Sequence, residues 1–132
     1  MGTSQDNAGI ASLVEKSNSN WALSEQLRNQ EKYDAAANRL YYSLFQAVKA
    51  YAVMMGKANI DEDNGVHGKM KRIVSEEDRS DGEVFGDAMD LRVKADYLPA
   101  PVTVADFDQT FVFNAEHLRC SFIRKASGKV SA

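Results

Sequence analysis

Arg92, Asp96 and Tyr97 lie together in the run LRVKADY, Leu91 to Tyr97. Their side chains could act on a phosphate. A guanidinium presents a planar fork of donors that matches phosphate oxygens. Tyrosine titrates near about pH 10 in solution, so Tyr97 is a poor general base at neutral pH without a strong local perturbation. Asp96 can accept a proton, but it would set negative charge beside an incoming phosphate. Arg92 and Asp96 also stand four apart, the spacing of ion-paired neighbours on a helix. A purely structural pair, capping the turn before Pro99, therefore stands beside the chemical reading.

His67 is the second candidate, since imidazole titrates close to neutral pH and can move a proton. Following Gly65 and beside Gly68, it can equally be a first-turn polar residue bonded to a loop carbonyl. It meets Arg92 and Tyr97 only if two separate helices converge. His117, between Glu116 and Leu118, falls on a polar face and is expected in solvent. A polar row of Arg39, Tyr42, Gln46 and Lys49 occupies one side of an otherwise apolar segment. An unpaired buried charge is costly, so the row implies either an internal network, with Arg39 bonded to Asp90 or Asp96, or one wall of a polar cleft shared with Arg92.

Other templates fail. Two histidines fifty residues apart and one cysteine give no zinc spacing, and DEDNG at 61–65 lacks the alternating ligands of a calcium loop. No metal or cofactor is expected. There is no glycine-rich phosphate loop and no serine elbow. Cys120, in an aromatic-flanked helical segment, reads as a small buried residue and not a nucleophile. Arg119, Arg124, Lys125 and Lys129 cluster near the C-terminus, where they could touch RNA or simply solvate a helix end.

The elements that must position these residues are helices. From Asp34 to Gly56, apolar residues at Ala37, Tyr41, Leu44, Val48, Tyr51 and Met55 alternate steps of four and three, with Leu40, Phe45 and Ala52 widening the face. Several neighbours must cover so broad a surface. Asp6 and Asn7 can cap a first helix over 8–30, and the short link at 31–33 predicts an antiparallel hairpin. After a loop at 57–65, the spacing predicts a third helix over 66–77, a polar break at 78–82 and a fourth helix from Glu83 to Ala95. Pro99 and Pro101 impose an extended turn. Thr103 and Asp106 then form a capping box for a fifth helix through Phe107, Phe111, Ala115, Leu118 and Phe122, ending near Lys125 before a fraying tail. The expected fold is all-α: an antiparallel bundle of about five helices.

The segment NRLYYSLFQA from Asn38 to Ala47, followed later by LRVKADY, resembles the HEPN family in its small stand-alone prokaryotic branch. That resemblance implies a four-helix up-and-down core plus a short helix, and His67 matches the branch's early histidine of the third helix. Active HEPN ribonucleases carry R-x4-6-H, in which arginine stabilises charge at the scissile phosphate and histidine moves a proton. Here Arg92 is followed five places later by Tyr97. The departure argues against ribonuclease activity while leaving Arg92 as a phosphate contact, with Arg39, Asp96 and Tyr42 in the same ligand-binding group and Arg92, Tyr97 and His67 as the catalytic candidates. The family further implies a nucleotide- or RNA-binding module, a homodimer, and a nucleotidyltransferase partner in a toxin–antitoxin or defence pair. A non-catalytic helical interaction domain is the alternative, and a ribonuclease using His67 in place of the missing motif histidine is a further one.

At 132 residues, 44% apolar and 27% charged, the chain suits one ordinary domain with its core over about 8–126. A net charge of −3 gives no general attraction for nucleic acid, so any such binding must come from a local patch. A single cysteine, the absence of a basic-plus-apolar leader and the lack of a long apolar run together lead us to expect a cytoplasmic protein without membrane insertion.

Overall fold

The computed structural model describes residues 4–110 and 114–128. Among these residues lie six helices and no strand: α1 (Ser4–Asn29), α2 (Tyr33–Met54), α3 (Val66–Glu77), α4 (Arg79–Tyr97), α5 (Val104–Thr110) and α6 (Glu116–Ala126). The all-α bundle expected from the spacing is the observed one. At its centre is α2, which packs against each of the other five helices. The residues of its expected face, Ala37, Tyr41, Leu44, Val48 and Tyr51, are buried, while Met55, past the helix end, is half exposed. Ala36, Ala47, Ala50 and Ser43 are buried on its other sides, so α2 is covered nearly all round.

The packing of α1 explains its weak apolar stripe. Ile10 and Trp21 reach the core, but Ser17 and Ser24 are also fully buried. Ser17 Oγ donates to the Ser43 carbonyl at 2.6 Å and Ser24 Oγ to the Ala36 carbonyl at 2.9 Å. Small side chains let the two backbones approach closely, and the bonds to α2 satisfy hydroxyls that burial would otherwise penalise. The helix already runs through Asp6 and Asn7, so these residues do not mark its start. Its other end is tied to α5 by a two-bond pair, with Arg28 Nε to Asp108 Oδ1 at 2.8 Å and Nη2 to Oδ2 at 3.1 Å.

Gly56 (φ 72°) and Gly65 (φ 65°) take left-handed conformations at the two ends of the loop between α2 and α3, which glycine adopts without penalty. The break expected at 78–82 is a single residue. Asp78 is extended, its side chain accepts from the Asp81 amide at 3.0 Å, and α4 starts at Arg79. Gly82 is thus a packing glycine inside a helix, set where α4 touches Ser75 of α3.

Among the described residues the expected fifth helix is represented by α5 and α6. Thr103 and Asp106 form the reciprocal cap, each amide bonding the other's side chain at 3.1 Å. Lys94 Nζ at 2.8 Å from Asp106 Oδ2 fastens α5 to α4. The two segments face different neighbours, α5 meeting α4 and α2 while α6 meets α2 and α1. Asn114 and Ala115 form a π-type turn into α6. Phe111, Lys129 and the end of the expected tail lie outside the described residues. On α6 the buried residues Leu118, Phe122 and Ala126 recur every fourth position, which leaves Cys120 on the opposite side, exposed and not buried. Among the described residues no helix is long and apolar enough to cross a membrane.

Gly82→Ala places a Cβ 2.8 Å from the Ser75 backbone and should cost about 1–3 kcal/mol in thermal denaturation. Gly68→Ala meets nothing within 4 Å and should be neutral or stabilising by up to about 1 kcal/mol; equal losses in both variants would refute this account of the α3–α4 contact. Hydrogen bonds from Lys94 and Thr103 hold the Asp106 carboxyl down to about 2. Its contribution is full above the ordinary carboxylate range and is lost as pH falls toward 2. The melting-temperature gap between wild type and Asp106→Asn should therefore be open at pH 6 and close over that acid window.

Candidate functional site

On α2, Asn38, Tyr41, Tyr42 and Phe45 fall within two turns of one another, and α4 crosses them with Arg92, Asp96 and Tyr97. The Arg92 guanidinium lies over three tyrosine rings, 5.3 Å from the centroid of Tyr41, 5.6 Å from Tyr42 and 5.8 Å from Tyr97. Such contacts attract a cation to the ring faces and confine the side chain. Asp96 completes the cage: its Oδ2 lies 3.6 Å from Arg92 Nη1 and accepts from Asn38 Nδ2 at 3.0 Å. The ion pair read from the spacing is present, but it is long, and only 16% of the Arg92 side chain is exposed. Arg92 Nε and Asn38 Oδ1 are buried without hydrogen-bond partners. Those orphaned atoms mark a polar site incompletely satisfied by the protein itself.

His67 joins the cluster from α3. The left-handed turn at Gly65 starts that helix so that His67, in its first turn, faces α2. Its ring stacks on Phe45 with centroids 4.7 Å apart, and Nδ1 lies 2.6 Å from the Tyr41 hydroxyl. Burial, then the positive charges of Arg92 and Lys49, push the imidazole below its ordinary value, which favours the neutral ring at pH 7. Burial pushes the Tyr41 phenol well above its ordinary value. His67 and Arg92 thus meet through the Tyr41 and Tyr42 rings, which both side chains touch.

Arg92, Asp96, Tyr97, Tyr42 and His67 are brought together; Arg39 is not. Arg39 is exposed and donates to Asn20 Oδ1 of α1 at 3.3 Å, and Asn20 in turn donates to Gln46 at 2.8 Å. Neither Asp90 nor Asp96 is its partner, because that edge of α2 faces α1. Lys49 bonds the Glu62 carbonyl at 3.2 Å, so the polar row divides among three neighbours. His117 is exposed, as its polar flanks indicated.

Near the C-terminus, Arg119 lies 5.1 Å over Trp21 and donates to Asn18, and Lys125 pairs with Glu77 at 3.0 Å. Two of the basic residues there are therefore structural. Sequence reasoning passed over Asn38 and Tyr41 as site residues. Both stand in the NRLYYSLF segment, but helical spacing marks Tyr41 only as core, and nothing in the sequence pairs Asn38 with Asp96. A surface groove of about 560 Å³ runs between α3 and α4 past Lys71, Ser75, Arg79 and Asp87, and includes none of the Arg92 cluster. Among the described residues no three His, Cys, Asp or Glu side chains gather as a metal would require.

Comparison with known proteins bears directly on this arrangement. The family model described as "HEPN domain" matches residues 10–119, a span that contains every residue of the cluster. The chain is similar to "Putative toxin MJ0142" of Methanocaldococcus jannaschii, at 29% identity over 112 residues, covering 83% of this chain and 75% of that protein. No solved structure matches. With the family model spanning α2, α3, α4 and the cage they build around Arg92, the chain belongs to the HEPN domain family.

Proposed function

We propose that the chain is a nucleotide- or RNA-binding module and that the Arg92 cage is its contact point. The observation that supports this reading best is a confined guanidinium beside Tyr97, a residue 70% exposed. An exposed ring offers a base a face to stack on, and an adjacent arginine offers a phosphate its donor fork. Asp96, itself held by Asn38, keeps Arg92 in place through a contact of 3.6 Å, too long to be a close hydrogen bond. The orientation is set before any ligand arrives, which lowers the entropic cost of binding.

The similar archaeal protein carries the word toxin in its name. Together with family membership this supports a role in a toxin–antitoxin or related defence pair, with a nucleotidyltransferase as the partner protein. For a homodimer, the support is the exposure of Val93 and Tyr97, four apart on α4, and of Leu98 just after them, at 39%, 70% and 54%. Apolar surface grouped in this way suits an interface.

Labelled single-stranded RNA, titrated at low and moderate salt, tests the site. Arg92→Ala should weaken binding about tenfold, roughly 1.4 kcal/mol, and the wild-type affinity should fall with salt. Binding that is unchanged by Arg92→Ala while melting temperature drops would instead make the cage structural and the chain a helical interaction domain. Scoring the same mixtures for cleavage addresses the ribonuclease reading, which requires RNA scission that disappears in His67→Ala with the fold intact. Sedimentation of wild type beside Leu98→Asp addresses assembly: a dimer should give way to monomer, and a wild-type monomer at tens of micromolar would remove that part of the proposal.

A further inference from the structure

Tyr41 is fully buried, so its hydroxyl proton has no access to water. Its hydroxyl has one hydrogen-bond partner among the described residues, His67 Nδ1 at 2.6 Å. If Nδ1 carried the proton and donated, the phenol hydrogen would be left buried with no acceptor, an arrangement that folded proteins avoid. The phenol must therefore donate and Nδ1 accept. A neutral imidazole with Nδ1 accepting carries its single proton on Nε2.

We propose that Tyr41 locks His67 as the Nε2–H tautomer, so that His67 presents a hydrogen-bond donor and not a base beside Arg92, and that the two together hold a phosphodiester oxygen without cleaving the backbone. The inference rests on the nucleotide-binding reading of the cage and specifies the chemistry of one member. Burial of the ring, with Arg92 from α4 and Lys49 from α2, opposes a second proton on it and outweighs the attraction that the faces of Tyr42 and Phe45 would offer an imidazolium. The Tyr41 phenol is itself held protonated by burial, so its proton remains available to donate. Abstracting a ribose 2′-hydroxyl proton needs an unprotonated, ligand-facing nitrogen, and in this tautomer the unprotonated nitrogen is the one occupied by Tyr41. His67 becomes a binding residue and Tyr41 a positioning residue.

The imidazole ¹H–¹⁵N two-bond correlations of uniformly labelled protein at pH 7, with His117→Gln to assign the two rings, read the tautomer directly. The expected pattern for His67 is a protonated Nε2 and an unprotonated Nδ1; a protonated Nδ1, in either the neutral or the charged ring, overturns the proposal. Tyr41→Phe keeps the ring and removes only the hydroxyl. It should mix the two tautomers and weaken binding of a fluorescein-labelled oligouridylate several-fold, and unchanged affinity would overturn the positioning role. If that variant does not fold, the wild-type spectrum still decides the tautomer. His67-dependent cleavage of the oligonucleotide at neutral pH would also overturn it. Absence of any Arg92-dependent RNA binding by wild type would defeat the functional reading of the site instead, and is scored separately from the spectrum.

Discussion

The structure depends on burying α2 on nearly every side. A helix in that position cannot be held by an apolar stripe alone, because each face must meet a different neighbour at a different distance. Large side chains such as Tyr41, Leu44 and Tyr51 fill the wider gaps, while Ala36, Ala47 and Ala50 allow close approach. Along α1 the contact is close enough for serine hydroxyls to reach α2 carbonyls at 2.6 and 2.9 Å. Dense packing of this kind leaves little room for adjustment, so the positions of α3 and α4 against α2 are tightly specified. That specification is what gives the Arg92 cage its geometry.

The cage has an unusual composition for so central a place. A cation, three tyrosines, a histidine, an asparagine and an aspartate meet where α2, α3 and α4 converge, and the buried Arg92 Nε and Asn38 Oδ1 remain without partners. An apolar substitute would avoid the desolvation cost of those groups. Clusters of polar groups that the protein does not fully satisfy, with an imidazole displaced from its ordinary titration range, are the pattern expected where a ligand is to be met.

Helical content, the hairpin of the first two helices, the capping box at Thr103 and the stop at Gly56 were all legible in the residues, because each depends on spacing or on a local backbone preference. The third helix was read to its ends. Errors arose where tertiary contact overrode local chemistry. Gly82 reads as a loop residue by propensity, yet it is helical because α4 must approach Ser75. Cys120 is a different case: its aromatic neighbours suggested burial, but the helical spacing of Leu118 and Phe122, itself legible in the sequence, already placed it on the outer side.

The sequence by itself determined the helices and nominated Arg92, Asp96, Tyr97, Tyr42 and His67, since residue type and spacing along one chain are local quantities. Only the tertiary structure decided how these side chains are used. Arg39 turned toward Asn20 on α1, Asn38 became the second anchor of Asp96, and Tyr41, by its spacing a core residue, became the partner of His67. Which polar groups meet depends on the rotation and crossing of packed helices, and those are set by the summed fit of many side chains from distant parts of the chain. Spacing along a single helix carries no record of that fit.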